Sequence, residues 1–273
     1  MRRRLPAVVL HVALLAGAVL TLLPLLWMVS ASLMPAGEAT AVPPRFLPSA
    51  PTLAHYRTLF ARLDLTRACV NSAALAATVT LIALVVNSLA GYAFAKLRFA
   101  GRERLFRLLL VGLVIPAQVA MLPLFLMLKE LRLVNTYAGV VVPGMASVFG
   151  IFLVRQYALS ISDSVLDAAR IDGAGEFRIY RSLVLVLCAP ILVTLAIFTF
   201  MGTWNDFMWP LVVLADARLY TLPVALASLA GEHVQDVELM MAGAVLTVLP
   251  VLVLFVCLQR YYIAGIMAGG TKE

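Results

Sequence analysis

Long uncharged stretches alternate with short charged segments along this chain. A helix that spans a bilayer needs about 20 mostly apolar residues, and six such windows occur, at 7–29, 68–95, 108–128, 137–154, 183–203 and 239–258. The first stays uncharged from Leu5 to Gly37, which is longer than the roughly 7–15 apolar residues of a cleaved signal peptide. The pattern predicts an all-α, polytopic membrane protein with six transmembrane helices, the first of them a retained anchor.

The composition also indicates a membrane protein. Of the 273 residues, 63% are hydrophobic and 13% are charged, whereas a soluble domain is about half apolar and a quarter charged. This excludes an ordinary cytosolic enzyme, and the high hydrophobicity excludes a disordered chain. The three cysteines have neither disulfide nor zinc spacing, and we interpret Cys69, Cys188 and Cys257 as small core residues.

The distribution of charge predicts the orientation. A formal net charge of +7 in a soluble protein would suggest a nucleic-acid partner, but cytoplasmic loops of membrane proteins collect Lys and Arg. With the N-terminus inside, the cytoplasmic segments hold twice as many Lys and Arg residues as the opposite side. We therefore expect both termini in the cytoplasm, and we expect no nucleic-acid partner.

The windows divide the chain into three parts. Residues 1–66 form an anchor helix and an extracytoplasmic loop, 67–260 form a core of five transmembrane helices, and 261–273 form a cytoplasmic tail. Two connections are longer than turns. The outer one, 30–67, is rich in proline and is expected to be extended, and the inner one, 155–182, is the most informative segment of the chain.

The inner loop has the signals of a short helix. Ser164 and Asp167 have the spacing of a capping box at a helix start, and Gly173 suits the position just past a helix end. Ala168 and Asp172 lie one turn apart on the same face, where small side chains leave a flat ridge. Such a helix either lies in a groove of another protein or rests on the lipid headgroups, and composition leaves both interpretations open.

The segment from Asp167 to Ala174 reads Asp-Ala-Ala-Arg-Ile-Asp-Gly-Ala. It resembles the EAA loop of ABC importer permeases, whose pattern is Glu-Ala-Ala followed after three residues by Gly. Asp167 replaces the glutamate of that pattern, and no proline follows Leu185 where the family has Leu-Pro. Three further segments are similar to the sugar-importer branch of the family, and the resemblance covers essentially the whole chain. Their residues are Trp204, Asn205, Phe207 and Pro210 in the first, Gln259, Arg260 and Gly265 in the second, and Asn71 and Ser72 with 92–95 in the third.

The resemblance implies a type I ABC importer permease fold and a carbohydrate-uptake importer of the maltose-transporter type. It implies a chain with no catalytic residue, no metal and no cofactor of its own, since ATP and Mg would be bound by a partner ATPase. The sequence has no phosphate-binding Gly-rich loop. The implied partners are a second homologous permease, two ATP-binding-cassette subunits and an extracytoplasmic substrate-binding protein, in a bacterial or archaeal cytoplasmic membrane. The ATPase would receive the 164–174 loop helix, and the implied coupling residues are Asp167, Ala168, Ala169, Asp172, Gly173 and Ala174.

Polar residues inside the windows are candidates for the translocation pathway, because polar groups in a span face the protein interior. The candidates are Asn87, Ser88, Tyr92, Gln118 and Ser147. The alternative for each is an interhelical hydrogen bond, with about 1 kcal/mol of stabilisation or less. Pro116 and Pro123 are expected to kink the third span, and Trp204 and Trp209 are expected in the interfacial aromatic belt.

Other functional classes have less support. A secondary transporter would show inverted repeats and charged groups at mid-membrane, and an intramembrane enzyme would need a catalytic constellation. No window contains Asp, Glu, Lys or Arg. Within the ABC importers, a peptide, phosphate or amino acid remains an alternative to a sugar.

Overall fold

The computed structural model describes residues 4–232 and 236–270, and it describes side chains over 9–61, 64–228 and 236–257. The part of the chain that the structure describes consists of helices, helical turns and loops, and it contains no strand. The α-helices are α1 (Arg4–Ala31), α2 (Ala54–Leu63), α3 (Leu65–Lys96), α4 (Arg102–Val111), α5 (Ala117–Glu130), α6 (Tyr137–Gly144), α7 (Val148–Ala158), α8 (Asp163–Ile171), α9 (Glu176–Ile179), α10 (Leu185–Leu187), α11 (Ala189–Trp204), α12 (Met208–Val213), α13 (Leu222–Glu232) and α14 (Val237–Gly270).

Four helical segments are long and apolar enough to cross a membrane: Val9–Ala31, Leu65–Lys96, Tyr137–Ala158 and Val237–Cys257. Two bent pairs meet the same criterion when each is taken together, Arg102–Val114 with Ala117–Glu130 and Glu176–Leu187 with Ala189–Trp204. The six predicted windows fall on these segments. Within the described residues, length and composition therefore allow four membrane-crossing helices, or six if each bent pair is one span.

The third window is broken rather than gently kinked. Ile115 is extended (φ −80°, ψ 118°), as expected for a residue before proline, and the helices on either side differ in direction by 106°. Pro116 therefore ends one helix and begins the next. Pro123, which was expected to kink the same span, lies inside α5.

The fifth window has a bend that the sequence interpretation missed. A π-helical turn at Tyr180–Val184 precedes α10, and Cys188 leaves the helical region (φ −84°, ψ 1°) before α11. The two halves meet at 78°. Pro190 in the first turn of α11 is the sequence signal for this bend, because proline is favoured in the first turn of a helix and disfavoured in its interior.

The chain forms two compact units, and the first contains residues 1–66 and 225–250. The prediction that the outer loop is extended is wrong. Residues 54–63 of this loop form the helix α2, which packs against the residues that follow α1. His55 Nε2 lies 2.9 Å from the Met34 carbonyl oxygen, and both residues are buried. Glu238 is 1% exposed and accepts a hydrogen bond from the Ala39 backbone N–H at 2.7 Å. Buried polar groups of this kind hold the proline-rich loop in a defined fold.

The second unit contains residues 67–224 and 251–273. One of its cores surrounds the inner loop and includes Leu166, Ile179 and Tyr180. Another joins α3, α5, α6 and α12. Of the three cysteines, Cys188 is buried, as predicted for a core residue, but Cys69 is half-buried and Cys257 is exposed.

The predicted tail at 261–273 continues α14 as far as Gly270. The side chains of Gln259, Arg260 and Gly265 lie outside the described residues.

Candidate functional site

The loop helix α8 begins two residues earlier than the capping-box pattern predicts. The residue before it is Ser162, which is extended (φ −63°, ψ 132°), and Ser164 lies within the helix, with its hydroxyl 2.7 Å from that of Ser162. Asp163 occupies the first turn, where a carboxylate interacts favourably with the positive end of the helix dipole. The predicted Ser164–Asp167 capping box is therefore wrong.

The end of α8 confirms the prediction for Gly173. This residue has φ +81°, a left-handed conformation that glycine adopts without steric cost. The Gly173 N–H donates to the Arg170 carbonyl at 3.0 Å, and the Ala174 N–H donates to the Ala169 carbonyl at 2.9 Å. These two bonds form a Schellman motif, which ends the helix and turns the chain towards α9.

The loop helix has an inner and an outer face. Leu166 is buried in the core, and the half-buried Ala169 and Ala174 pack against that core. Asp167, Ala168, Asp172 and Gly173 are exposed. Of the six predicted coupling residues, four therefore lie on an open surface and two attach the loop to the protein.

Two large apolar side chains beside this surface were not predicted. Ile171 is 86% exposed and Phe177 is 71% exposed. Exposed apolar groups of this size next to a small-residue ridge are typical of a binding surface. The sequence contains a signal for Ile171, which falls on the face of α8 away from Leu166 and Ala169, whereas Phe177 lies on the short helix α9.

A chain of charged side chains connects α8 to α3. Arg170 donates from Nη1 to Asp167 Oδ1 at 2.7 Å and from Nε to Glu176 Oε1 at 2.8 Å. The Tyr92 hydroxyl donates to Glu176 Oε2 at 2.6 Å. The hydrogen bonds to Glu176 and then to Asp167 raise the pKa of Arg170 above its ordinary value. The charged network holds the loop helix against the end of the second span.

A second connection involves Lys96, the last residue of α3. Its ammonium donates to Asp163 Oδ1 and to the Ile161 carbonyl, both at 2.6 Å. The hydrogen bond from Lys96 holds the pKa of Asp163 below its usual value. The start of α8 and the end of α3 are therefore joined directly.

Four of the five pathway candidates make hydrogen bonds within the protein. The fully buried Asn87 accepts from the Ser147 backbone N–H at 3.0 Å, and the Ser147 hydroxyl accepts from the Gly150 N–H at 2.9 Å at the start of α7. The Ser88 and Tyr180 hydroxyls are 2.7 Å apart, and Tyr92 bonds to Glu176 as described. These contacts are those of the interhelical alternative, and a pathway role for the four residues stays a prediction.

Gln118, the fifth candidate, is exposed and lines a cleft of about 410 Å³ between α5, α6 and the α11–α12 connection. Asp206 also lines this cleft and accepts from the Trp209 backbone N–H at 3.2 Å. Burial raises the pKa of the Asp206 carboxyl above its usual value. The Trp209 indole N–H donates to the Gly139 carbonyl at 3.1 Å, which fixes the ring at the cleft wall.

The segment from Trp204 to Pro210 builds the turn between α11 and α12. Trp204 is 3% exposed and stacks on Phe200 with centroids 6.0 Å apart, so its expected place in an interfacial belt is wrong. The Asn205 side chain donates to the Met201 carbonyl at 2.9 Å. Phe207 is half-buried and Pro210 is buried. The motif therefore positions the cleft residues Asp206 and Trp209.

The segment 218–222 is attached to α3 by Asn71 and Ser72. Asn71 Nδ2 donates to the Arg218 and Tyr220 carbonyls, each at 3.0 Å, and Asn71 Oδ1 accepts from the Tyr137 hydroxyl at 2.7 Å. The Ser72 hydroxyl accepts from the Leu222 N–H at 2.7 Å. The sequence identified these two positions, but it gave no indication of their partners almost 150 residues away.

No cluster of three or more His, Cys, Asp or Glu side chains suited to a metal occurs within the part of the chain that the structure describes.

Comparison with known proteins identifies the family. Residues 83–267 match the family described as binding-protein-dependent transport system inner membrane component. The chain is 38% identical to the arabinooligosaccharides transport system permease protein AraQ of Halalkalibacterium halodurans, over 93% of this chain and 92% of that protein. It is 31% identical to the lactose transport system permease protein LacG of Rhizobium radiobacter, over 100% and 98%.

A solved structure has the same fold. It is the crystal structure of a bacterial ABC transporter involved in the import of the acidic polysaccharide alginate, with a TM-score of 0.83, 24% sequence identity, and coverage of 95% of this chain and 97% of that one. Together with the multi-pass helical architecture and the family match, this identifies the fold as that of an ABC importer permease. The chain belongs to the family of inner-membrane permease components of binding-protein-dependent transport systems.

Proposed function

We propose that this chain forms half of the translocation pathway of an ATP-driven importer for a sugar or sugar-like solute. As a permease it is a transport component and not an enzyme, and it works with a substrate-binding protein and partner subunits. In the proposal, the partners are a second homologous permease and two ATP-binding-cassette subunits, which bind the ATP and Mg. The positive charge of the loops supports cytoplasmic N- and C-termini.

The observation that carries the proposal is the outer face of α8. It combines the exposed small ridge at Ala168, Asp172 and Gly173 with the exposed apolar side chain of Ile171, and the exposed Phe177 lies on the neighbouring α9. A short helix with a rigid inner attachment and an open apolar margin suits insertion into a groove of a partner. The basic excess supports a cytoplasmic location for this face, where an ATPase would meet it.

The attachments of α8 suggest how movement would reach the membrane. Closure of the ATPase on ATP would displace the loop helix, and the Lys96–Asp163 and Tyr92–Glu176 contacts would carry the displacement to α3. A rigid-body change of this kind can switch a pathway between inward-open and outward-open states. No side chain of the permease needs to take part in hydrolysis.

The sugar assignment is supported by the relatives, which are an arabinooligosaccharides transport permease and a lactose transport permease. The cleft at Gln118, Asp206 and Trp209 is compatible with such a solute, because it combines polar groups with an aromatic wall.

Replacing Gly173 with valine tests the coupling role. At φ +81° a β-branched residue strains the backbone, and an added Cβ meets nothing within 4 Å, so the change is confined to the exposed helix end. In the complete transporter reconstituted in liposomes, we expect solute-stimulated ATP hydrolysis to fall about fivefold or more, which corresponds to a loss of about 1–3 kcal/mol in docking free energy.

The matched control is Gly101→Val. Gly101 has the same φ of +81° and the same open surroundings, and it lies on a predicted cytoplasmic loop outside α8. This variant should insert and retain its ATPase coupling. Normal hydrolysis and uptake in Gly173→Val, or equal losses in both variants, would contradict the assignment of α8 as the docking helix.

A further inference from the structure

The cleft beside Trp209 contains one ionisable side chain in an otherwise neutral wall. Its volume is about 410 Å³. Gln118, Thr203 and Trp209 contribute neutral polar groups, whereas Val79, Met121, Leu124 and Val140 contribute apolar surface. Among the described lining residues, Asp206 alone carries charge, and no Lys or Arg of the lining balances it.

The helix-capping role of Asp206 does not require this charge. Its carboxylate accepts from the Trp209 N–H at the start of α12, but asparagine caps a helix start about as well as aspartate. Burial opposes ionisation here, as the raised pKa of the carboxyl indicates. Asp206 therefore places a partly desolvated negative charge in the cleft, although a neutral asparagine would serve the local fold equally well.

The surrounding groups suit an uncharged ring with many hydroxyls. Carboxylate and amide oxygens accept hydrogen bonds from hydroxyl groups, and the indole is held with its N–H already bonded to Gly139. Its ring and the apolar wall can pack against the C–H face of a sugar. A carboxylate or phosphate on the solute would meet the uncompensated charge of Asp206, which disfavours binding.

We propose that this cleft is a solute-contact position of the pathway, and that Asp206 makes it selective for neutral, hydroxyl-rich solutes against anionic sugars and phosphate esters. The inference rests on the proposed function, since it assigns a contact position within the same pathway. The permease itself would then discriminate against anionic solutes, independently of the solute selection made by a binding protein.

The test measures access and electrostatic potential with small charged reagents. The Gln118→Cys variant, in the complete transporter in nanodiscs, is treated with an anionic methanethiosulfonate (sulfonatoethyl) or a cationic one (trimethylammonioethyl). Peptide mass reports modification at position 118, so the native cysteines stay in place. The ratio of the cationic to the anionic rate is compared with that of the Gln118→Cys, Asp206→Asn double variant, which retains the cap.

We expect the introduced thiol to react, and we expect Asp206→Asn to lower the cationic-to-anionic ratio about tenfold, as for the loss of a nearby desolvated charge. Leu122→Cys is the control, because Leu122 is on the same helix, is 67% exposed, and does not line the cleft. Its ratio should not respond to Asp206→Asn.

Two results would overturn the proposal. An unreactive thiol at position 118, both with and without ATP, would mean that a partner subunit or lipid fills the cleft. An unchanged ratio would mean that Asp206 does not set the potential there. Neither the reactivity of the thiol nor the ratio of the two rates depends on sugar transport. A failure of this inference is therefore distinguishable from a failure of the proposed sugar function.

Discussion

At the scale of single residues, glycine determines how closely the helices of the second unit approach. A Cβ on Gly91 of α3 would lie 2.7 Å from the Val154 Cβ of α7. One on Gly150 would lie 2.9 Å from the Asn87 Cγ, so this glycine makes room for the buried amide that bonds to Ser147. Small residues at such positions let membrane helices pack backbone against backbone.

Replacing Gly91 with alanine should lower stability by about 1–3 kcal/mol, because the added methyl overpacks a contact with a stiff β-branched side chain. Thermal unfolding of the purified permease in detergent measures this. Gly202→Ala in α11 is the matched control, since nothing lies within 4 Å of its Cβ, and alanine in a helix is favoured by about 0.5–1 kcal/mol. Equal unfolding temperatures for the two variants would contradict the packing argument.

The polar residues show what sequence could and could not predict at this scale. The sequence predicts that Asn87 avoids lipid, because an amide side chain in an apolar window faces the protein interior, and Asn87 is fully buried. Its contact with the Ser147 N–H depends on the gap between α6 and α7, which no local pattern specifies. Asp206 was not selected, because its significance comes from the cleft around it.

At the scale of elements, the inner loop is the best-predicted part of the chain. The Asp-Ala-Ala-x-x-x-Gly pattern indicated a short helix, and Gly173 ends it with the expected left-handed backbone. The start was misplaced because Ser162 and Ser164 are both good capping residues, and their dihedrals decide between them. The contacts of Glu176 and Lys96 with α3 and α8 join segments far apart in sequence and were not predictable.

Removing the Tyr92 hydroxyl should weaken the connection between the loop and α3. In Tyr92→Phe the hydrogen bond to Glu176 is lost, whereas the ring can still pack against Tyr180, 6.0 Å away. A hydrogen bond to a charged group contributes about 1.5–3 kcal/mol. We expect solute uptake per ATP hydrolysed to fall several-fold, measured as the ratio of uptake to phosphate release in proteoliposomes.

Tyr137→Phe provides the comparison for this variant. It removes a hydroxyl bonded to Asn71 at 2.7 Å, in a part of the second unit outside the inner loop. It should lower stability while leaving the ratio of uptake to hydrolysis unchanged. If the two variants altered this ratio equally, the Tyr92–Glu176 contact would have no specific part in coupling.

At the scale of the whole molecule, hydropathy locates the long apolar segments of the described residues but does not predict their shape. The six windows lie on four long helices and two bent pairs. The 106° and 78° bends arise where Ile115, before Pro116, and Cys188 leave the helical conformation, and hydropathy alone does not report such a change of direction. Similarly, the outer loop is held by hydrogen bonds of Glu238 and His55 to the backbone of Ala39 and Met34. The spacing of apolar residues does not predict such contacts.

In the proposed function, this permease moves its solute only when a separate ATPase acts on it. The direct measurement is uptake into proteoliposomes that contain the permease pair with or without the ATPase subunits. The binding protein is supplied outside, and the solute is the radiolabelled sugar that most raises its Tm. We expect uptake to require both the ATPase subunits and ATP on the side of α8. Uptake without those subunits, driven by a proton or sodium gradient, would contradict the account and identify a secondary transporter.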